Sequence, residues 1–152
     1  MRIGIDPGAS GAIVVMDDAF RLIEWAHMPT IKIGTQTRVN GAEVAALLRD
    51  FDDAAAYLEQ VGAMPGQGVS SMFSFGHAAG TISGVLAALM IPVTLVTPQV
   101  WKKRAGIASG SDKDAARSRA IQLWPAWRDL AAKGKGQALA DAALIARYGD
   151  AS

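Results

Sequence analysis

Near its start the chain runs Arg2-Ile-Gly-Ile-Asp-Pro-Gly-Ala-Ser-Gly-Ala-Ile-Val-Val15, and no other stretch limits the fold as tightly. Ile3 and Ile5 alternate with Gly4 and Asp6, the period of two that marks a strand. Ala12 to Met16 is a second run rich in β-branched residues, so Pro7 to Gly11 is predicted to be the turn between two antiparallel strands. Asp6 then closes a central strand beside backbone that glycine keeps low, where a cation or phosphate can come close. An Asp that merely starts a turn before Pro-Gly reads equally well from this stretch alone.

The following segments alternate in type. Phe20 to Met28 reads as a third strand, reached through an Asp17-Asp18-Ala19 turn, and Pro29 to Val39 as a polar, irregular link. Asn40 is a good helix N-cap, and Val44, Leu47, Leu48 and Phe51 form a helical stripe behind it. Ala54 to Val61 is the next strand, with Ala55, Tyr57, Glu59 and Val61 on one face. A strand reached through a helix is expected to pair in parallel with the first. That would set Glu59 beside Asp6 at adjacent carboxyl ends, where open α/β sheets place their ligands. Two acids there repel unless a cation or a proton lies between them. A solvent-facing Glu59 at a strand end is the plainer alternative.

Gly62 to Ser70 is a flexible loop, and a helix is predicted over about Ser71–Met90. Gly76, Gly80 and Gly84 recur on one of its faces. Glycine costs a helix up to ~1 kcal/mol relative to alanine, so the stripe calls for another backbone close by, either the sheet beneath or a second subunit. His77 is assigned no catalytic role. Pro92 to Val96 reads as a short, buried fifth strand. Thr97-Pro98 starts a short helix carrying Trp101, Lys102, Lys103 and Arg104, and Ser111 is expected to cap another carrying Lys113 and Arg117. Trp124-Pro125 breaks that helix, and Lys133 to Gly136 reads as a mobile basic loop. In the final helix, about Gln137 to Tyr148, Asp141 lies in the middle of the apolar stripe formed by Ala138, Leu144, Ile145 and Tyr148. A carboxylate facing inward is expensive unless it meets a cation, although neutral donors could also satisfy it.

Composition narrows the chemistry. The 152 residues make one domain, 1–152. With no cysteine, disulfides, thiolate metal sites and cysteine nucleophiles are excluded. No basic-then-apolar leader precedes the first strand, and the apolar run Val85–Val96 falls short of the ~20 residues of a membrane span. An intracellular, cytoplasmic protein with no membrane partner is expected. The net charge of +1 is unevenly spread: residues 1–59 balance at −4, residues 60–101 hold no charged side chain and residues 102–152 balance at +5. A basic last third points to a polyanion, although a solvated helix face would look the same.

Several ordered motifs carry a resemblance. They are Ile3-Gly-Ile-Asp-Pro-Gly-Ala-Ser-Gly11, Leu58-Glu-Gln-Val61, Met72-Phe-Ser-Phe-Gly-His-Ala-Ala-Gly80, Thr97-Pro-Gln-Val-Trp-Lys-Lys103, Ser111-Asp-Lys113 and Ala140-Asp-Ala-Ala-Leu-Ile-Ala146. Each is weak alone, and the ordered set resembles the RuvC-type Holliday junction resolvases of the ribonuclease-H superfamily, above all their bacteriophage and prophage branch. The resemblance implies an α/β fold: a five-stranded mixed sheet in the order β-β-β-α-β-α-β-α, with helices on both faces. It implies that Asp6, Glu59 and Asp141 are catalytic and bind metal, that the Gly62–Ser71 loop touches DNA near a crossover, and that the glycine-rich helix serves a homodimer. The family's fourth acidic or histidine residue before the last acid is absent, and Gln137 or Ala138 occupies its neighbourhood.

The expected activity is endonucleolytic resolution of four-way junctions, or of related forks and flaps, in a bacterial or phage-infected cell. Two Mg²⁺ ions ~3.5–4 Å apart, replaceable by Mn²⁺, can drive in-line phosphodiester hydrolysis, and an all-oxygen cluster suits magnesium. Lys102, Lys103, Arg104, Lys113, Arg117, Lys133 and Lys135 are candidate phosphate contacts. Met64, Pro65, Gln67 and Ser70 are candidates for contact with unpaired bases. A branched-DNA-binding protein with an incomplete site is the alternative. A phosphotransferase of the sugar-kinase type fits poorly, because the chain is short for two lobes and has no second glycine-rich phosphate loop.

Overall fold

The computed structural model describes residues 1–60 and 62–150, so the expected strand end at Val61 lies outside the described residues. Along the chain come β1 (Arg2–Asp6), β2 (Ala12–Met16), β3 (Leu22–His27), β4 (Thr30–Ile33), β5 (Gln36–Val39), α1 (Gly41–Leu48), β6 (Ala55–Glu59) and α2 (Val69–Ala88). They are followed by β7 (Val93–Val96), α3 (Pro98–Arg104), α4 (Ala115–Leu123), a 3-10 turn (Arg128–Ala131) and α5 (Lys135–Tyr148). Five strands form one mixed sheet in the order β3-β2-β1-β6-β7. β1 pairs antiparallel with β2 and parallel with β6, as the alternation and the intervening helix predict.

The period of two in β1 decides what lies on each face. Ile3 and Ile5, both fully buried, join Ile13, Val15, Val44, Leu48, Ile82 and Leu86 in a core shared with α1 and α2. The opposite face carries Val14, Met16 and Tyr57, packed on α5 and on Trp101. α5 sits unusually low. A Cβ on Gly4 would overlap the Ala142 carbonyl oxygen and the Ala146 backbone, so only glycine lets the helix lie there. Alanines at 138, 140, 142, 143 and 146 keep that helix slim where it is buried. Among the described residues no helix is long and apolar enough to cross a membrane.

Several expectations need correcting. Residues 29–39 are not an irregular link: β4 and β5 form a separate two-stranded hairpin, turned at Gly34-Thr35 with Gly34 at φ 61°. Its Ile31 and Ile33 face solvent, which disguises the strand in sequence. β7 is short but not buried, because it is the last strand of the sheet and exposes Val93 and Leu95. The glycine stripe does not meet the sheet: a Cβ at Gly76, Gly80 or Gly84 would find nothing within 4 Å. Ser111 does not cap a helix. Its hydroxyl donates to the Ala108 carbonyl at 2.7 Å, and Asp114 takes the cap position. Lys135 and Gly136 belong to the first turn of α5 rather than to a loop. The Asn40 and Thr97 caps form as expected.

Candidate active site

Asp6 closes β1 and Glu59 closes β6. The parallel register pairs Gly4 with Tyr57 and Ile5 with Leu58, so the two acids stand side by side on the face that carries α5. The close seat of Ala142 over Gly4 brings the preceding residue, Asp141, to the same place. All three are half-buried. Burial, and then the charge of Glu59, push the Asp6 carboxyl up to about 6, partly offset by the Gly8 N–H. Burial, and then the charges of Asp6 and Glu59, push Asp141 up to about 7. Glu59 is also raised by burial. Asp6 thus feels the charge of Glu59, and Asp141 feels both.

Gly8 N–H donates to Asp6 Oδ1 at 3.4 Å, so Asp6 also begins its turn, as the plainer reading expects. Around the acids lie supports that the sequence did not reveal. Trp101, fully buried, donates its indole N–H to Glu59 Oε1 at 2.9 Å. Lys102 lies over the Trp101 ring at 5.2 Å, and its charge eases the ionisation of Glu59 and Asp141. Gln137, one helical turn before Asp141, donates to Asp141 Oδ1 at 2.9 Å. Its own carbonyl oxygen is buried without a hydrogen-bond partner among the described residues.

The donor set suits a hard divalent cation in kind, since every candidate ligand is an oxygen and a cation between them would relieve their repulsion. As oriented, no three acid, histidine or cysteine side chains among the described residues close on a single ion site. Side-chain rotation would have to complete the cluster.

The candidate DNA contacts divide. Met64, Pro65 and Gln67 lie in the loop before α2, with Met64 70% exposed, and Ser70 lies in the first turn of α2. Lys102, Lys103 and Lys113 line a common cavity of about 750 Å³, which Gln137 also borders. Lys133 is exposed, and the charge of exposed Lys135 helps burial hold His27 below its usual range. Two arginines are engaged within the chain. Arg117 pairs with Asp114 at 3.2 Å and donates to the Ala131 carbonyl, leaving its side chain only 14% exposed. Arg104 donates to the carbonyls of Tyr148 and Asp150.

A second cavity, of about 410 Å³, adjoins Asp6 between the β1–β2 turn, the β4–β5 hairpin and α2. Arg38, unremarked in sequence, lines it with Ser70, Ser74 and His77. Arg38 lies outside the motifs, and only its place among residues with few other cations could have marked it.

No family model matches the chain, and no curated protein matches it in sequence. Solved structures do resemble it. Thermus thermophilus RuvC in complex with a Holliday junction substrate aligns with TM-score 0.66 and 18% identity, over 95% of this chain and 88% of that one. A second Thermus thermophilus RuvC structure aligns with TM-score 0.57 and 17% identity, over 95% and 89%. With its mixed five-stranded sheet and helices on both faces, this chain has a RuvC-like fold.

Proposed function

We propose that the protein is a metal-dependent, structure-specific endonuclease that cuts four-way junctions or related branched DNA. The observation that carries this reading is the meeting of Asp6, Glu59 and Asp141, from the first strand, the fourth strand of the main sheet and the last helix, with carboxyls that burial raises, helped at Asp6 and Asp141 by neighbouring carboxylate charge. A fold shared with a protein solved on a Holliday junction supports the choice of substrate.

Asp6, Glu59 and Asp141 would hold one or two Mg²⁺ ions, with Mn²⁺ able to replace them. When bound, such ions supply activation of an attacking water and neutralise charge on the leaving oxygen. The chain's own residues do the positioning. The Trp101 indole fixes one oxygen of Glu59 and leaves the other for the site. Gln137 steers Asp141 in the same way. Lys102, Lys103 and Lys113 offer phosphate contacts that set the DNA without reading its sequence, while the side chains of Met64, Pro65 and Gln67 would meet a junction's unpaired bases. Two copies packed through the Gly76-Gly80-Gly84 stripe would present two sites to two strands, in keeping with the open space over those glycines.

A synthetic four-way junction incubated with Mg²⁺ or Mn²⁺ tests the reading. Paired nicks near the crossover are expected, and they should disappear in Asp6→Asn, Glu59→Gln and Asp141→Asn while binding persists. Full nicking by Asp141→Asn would remove that residue from the site. A second reading, a branched-DNA-binding protein that does not cut, is favoured by Gln137 one turn before Asp141 and by the open arrangement of the acids. Tight binding with no nicking at any enzyme concentration would establish it.

A further inference from the structure

Arg38 has a position that the three-acid site does not use. It lies on β5, in a hairpin outside the main sheet, and reaches across to α2. Its Nη1 donates to Ser74 Oγ at 3.1 Å, and its guanidinium carbon lies 5.4 Å from the centre of the Phe73 ring. Phe73 is 62% exposed. A half-buried guanidinium is thus held by a hydroxyl and an aromatic face, and among the described residues it forms no ion pair with an acid. The fork carries five N–H donors, and Ser74 takes one.

The cavity beside it gives those donors a purpose. It is about 410 Å³, within the range of small-molecule sites. Asp6 and Arg38 line it together with the hydroxyl-bearing Ser10, Ser70 and Ser74. Residues 60–101 contain no charged side chain, so α2 brings only neutral donors. Arg38 is therefore the cavity's one permanent cation among the residues that line it. Guanidinium and hydroxyl donors around one space suit a phosphodiester, since planar N–H forks match its oxygens.

We propose that Arg38 seats a phosphate of the cut strand beside the scissile one, with Ser74 as its positioning residue. The proposal rests on the nuclease reading and adds a contact on the side of Asp6 away from the lysines of α3. The guanidinium holds the strand in register, so that the scissile phosphate meets the three acids rather than sliding past them. An arginine that only pinned the hairpin to α2 would make the same contacts and be indifferent to the charge of the DNA backbone.

The test is single-turnover nicking of a four-way junction by the wild type, Arg38→Ala and Arg38→Lys. The junctions carry one neutral methylphosphonate at each of the three linkages on either side of the nick. At one linkage the wild type should slow about tenfold or more. On the unmodified junction Arg38→Ala should slow by a similar factor, and it should be indifferent to the neutral linkage at that position. Arg38→Lys, which keeps the charge without the fork, should fall between them. Should Arg38→Ala melt early, the lysine variant carries the comparison through a reduced penalty at that linkage. Wild-type nicking rates in Arg38→Ala would overturn the proposal. So would a methylphosphonate penalty as large in the variants as in the wild type, which would leave Arg38 a pin between hairpin and helix. Absence of nicking by the wild type on any branched DNA would sink the nuclease reading and the seat with it, whereas an indifferent Arg38 on a substrate that is cut discards the seat alone.

Discussion

Glu59 shares its surroundings with two other carboxylates, yet it alone is held by an indole N–H. That bond joins residues 42 apart in sequence, and the Arg38–Ser74 bond joins residues 36 apart. Side-chain pairs at such separations leave no periodic trace, which is why the Trp101–Glu59 and Arg38–Ser74 bonds were invisible in sequence. Asp6, Glu59 and Asp141 were visible because a period of two or 3.6 assigns each a face. Trp101→Phe removes the donor and keeps most of the packing. It leaves a half-buried carboxylate short of a partner, at a cost of up to about 1–3 kcal/mol. Without that donor the Glu59 carboxyl should rise further, so the acid limb of the nicking–pH profile should move to higher pH. An unmoved limb would mean that the indole only packs. Asp141→Asn should cut nicking by more than about a hundredfold and leave junction affinity within a few-fold, measured by single-turnover rates and by gel shift.

At the scale of elements, two glycine positions make opposite predictions. Gly4 lies under α5, where a methyl group would strike helix backbone that cannot rotate aside. Gly4→Ala should destabilise by about 3 kcal/mol or more, as overpacking against backbone does, and should shift Asp141 away from Asp6. Gly80→Ala adds a methyl group to open space. It should stabilise α2 by about 0.5–1 kcal/mol, a rise of roughly 2–4 °C per kcal/mol in melting temperature for a chain of this size. If copies meet through that face, the same change should weaken their association in sedimentation. The order of strands and helices was legible throughout the main sheet, since each element there has an apolar face. The β4–β5 hairpin was not, because Ile31 and Ile33 are exposed and no core enforces their alternation. The apolar composition of β7 misled in the other direction: burial of a strand depends on having a neighbour on each side, and β7 has one.

Across the whole molecule the acids link stability to pH. Asp6 and Asp141 ordinarily ionise near 3.8 and are raised to about 6 and about 7 in the fold. The folded state therefore holds protons that the unfolded state has already lost. Their contribution is most favourable below about pH 4, declines as pH rises and is gone above about pH 7. Metal-free protein in chelator should melt several degrees lower at pH 8 than at pH 5, and the difference should shrink in Asp141→Asn. Millimolar Mg²⁺ should raise the melting temperature at pH 8 and do little at pH 5, because only ionised oxygens bind it. A melting temperature indifferent to Mg²⁺ at pH 8 would count against these acids as its ligands. The surplus of basic residues after Trp101 was legible as charge, but how the fold employs it was not: the internal bonds of Arg104 and Arg117 depend on carbonyls that the fold alone brings near. One arrangement bears on assembly. The crossing of α5 over Gly4 joins residues 4 and 142, so Asp141 reaches Asp6 and Glu59 only once α5 has docked on β1, however early the paired strands form.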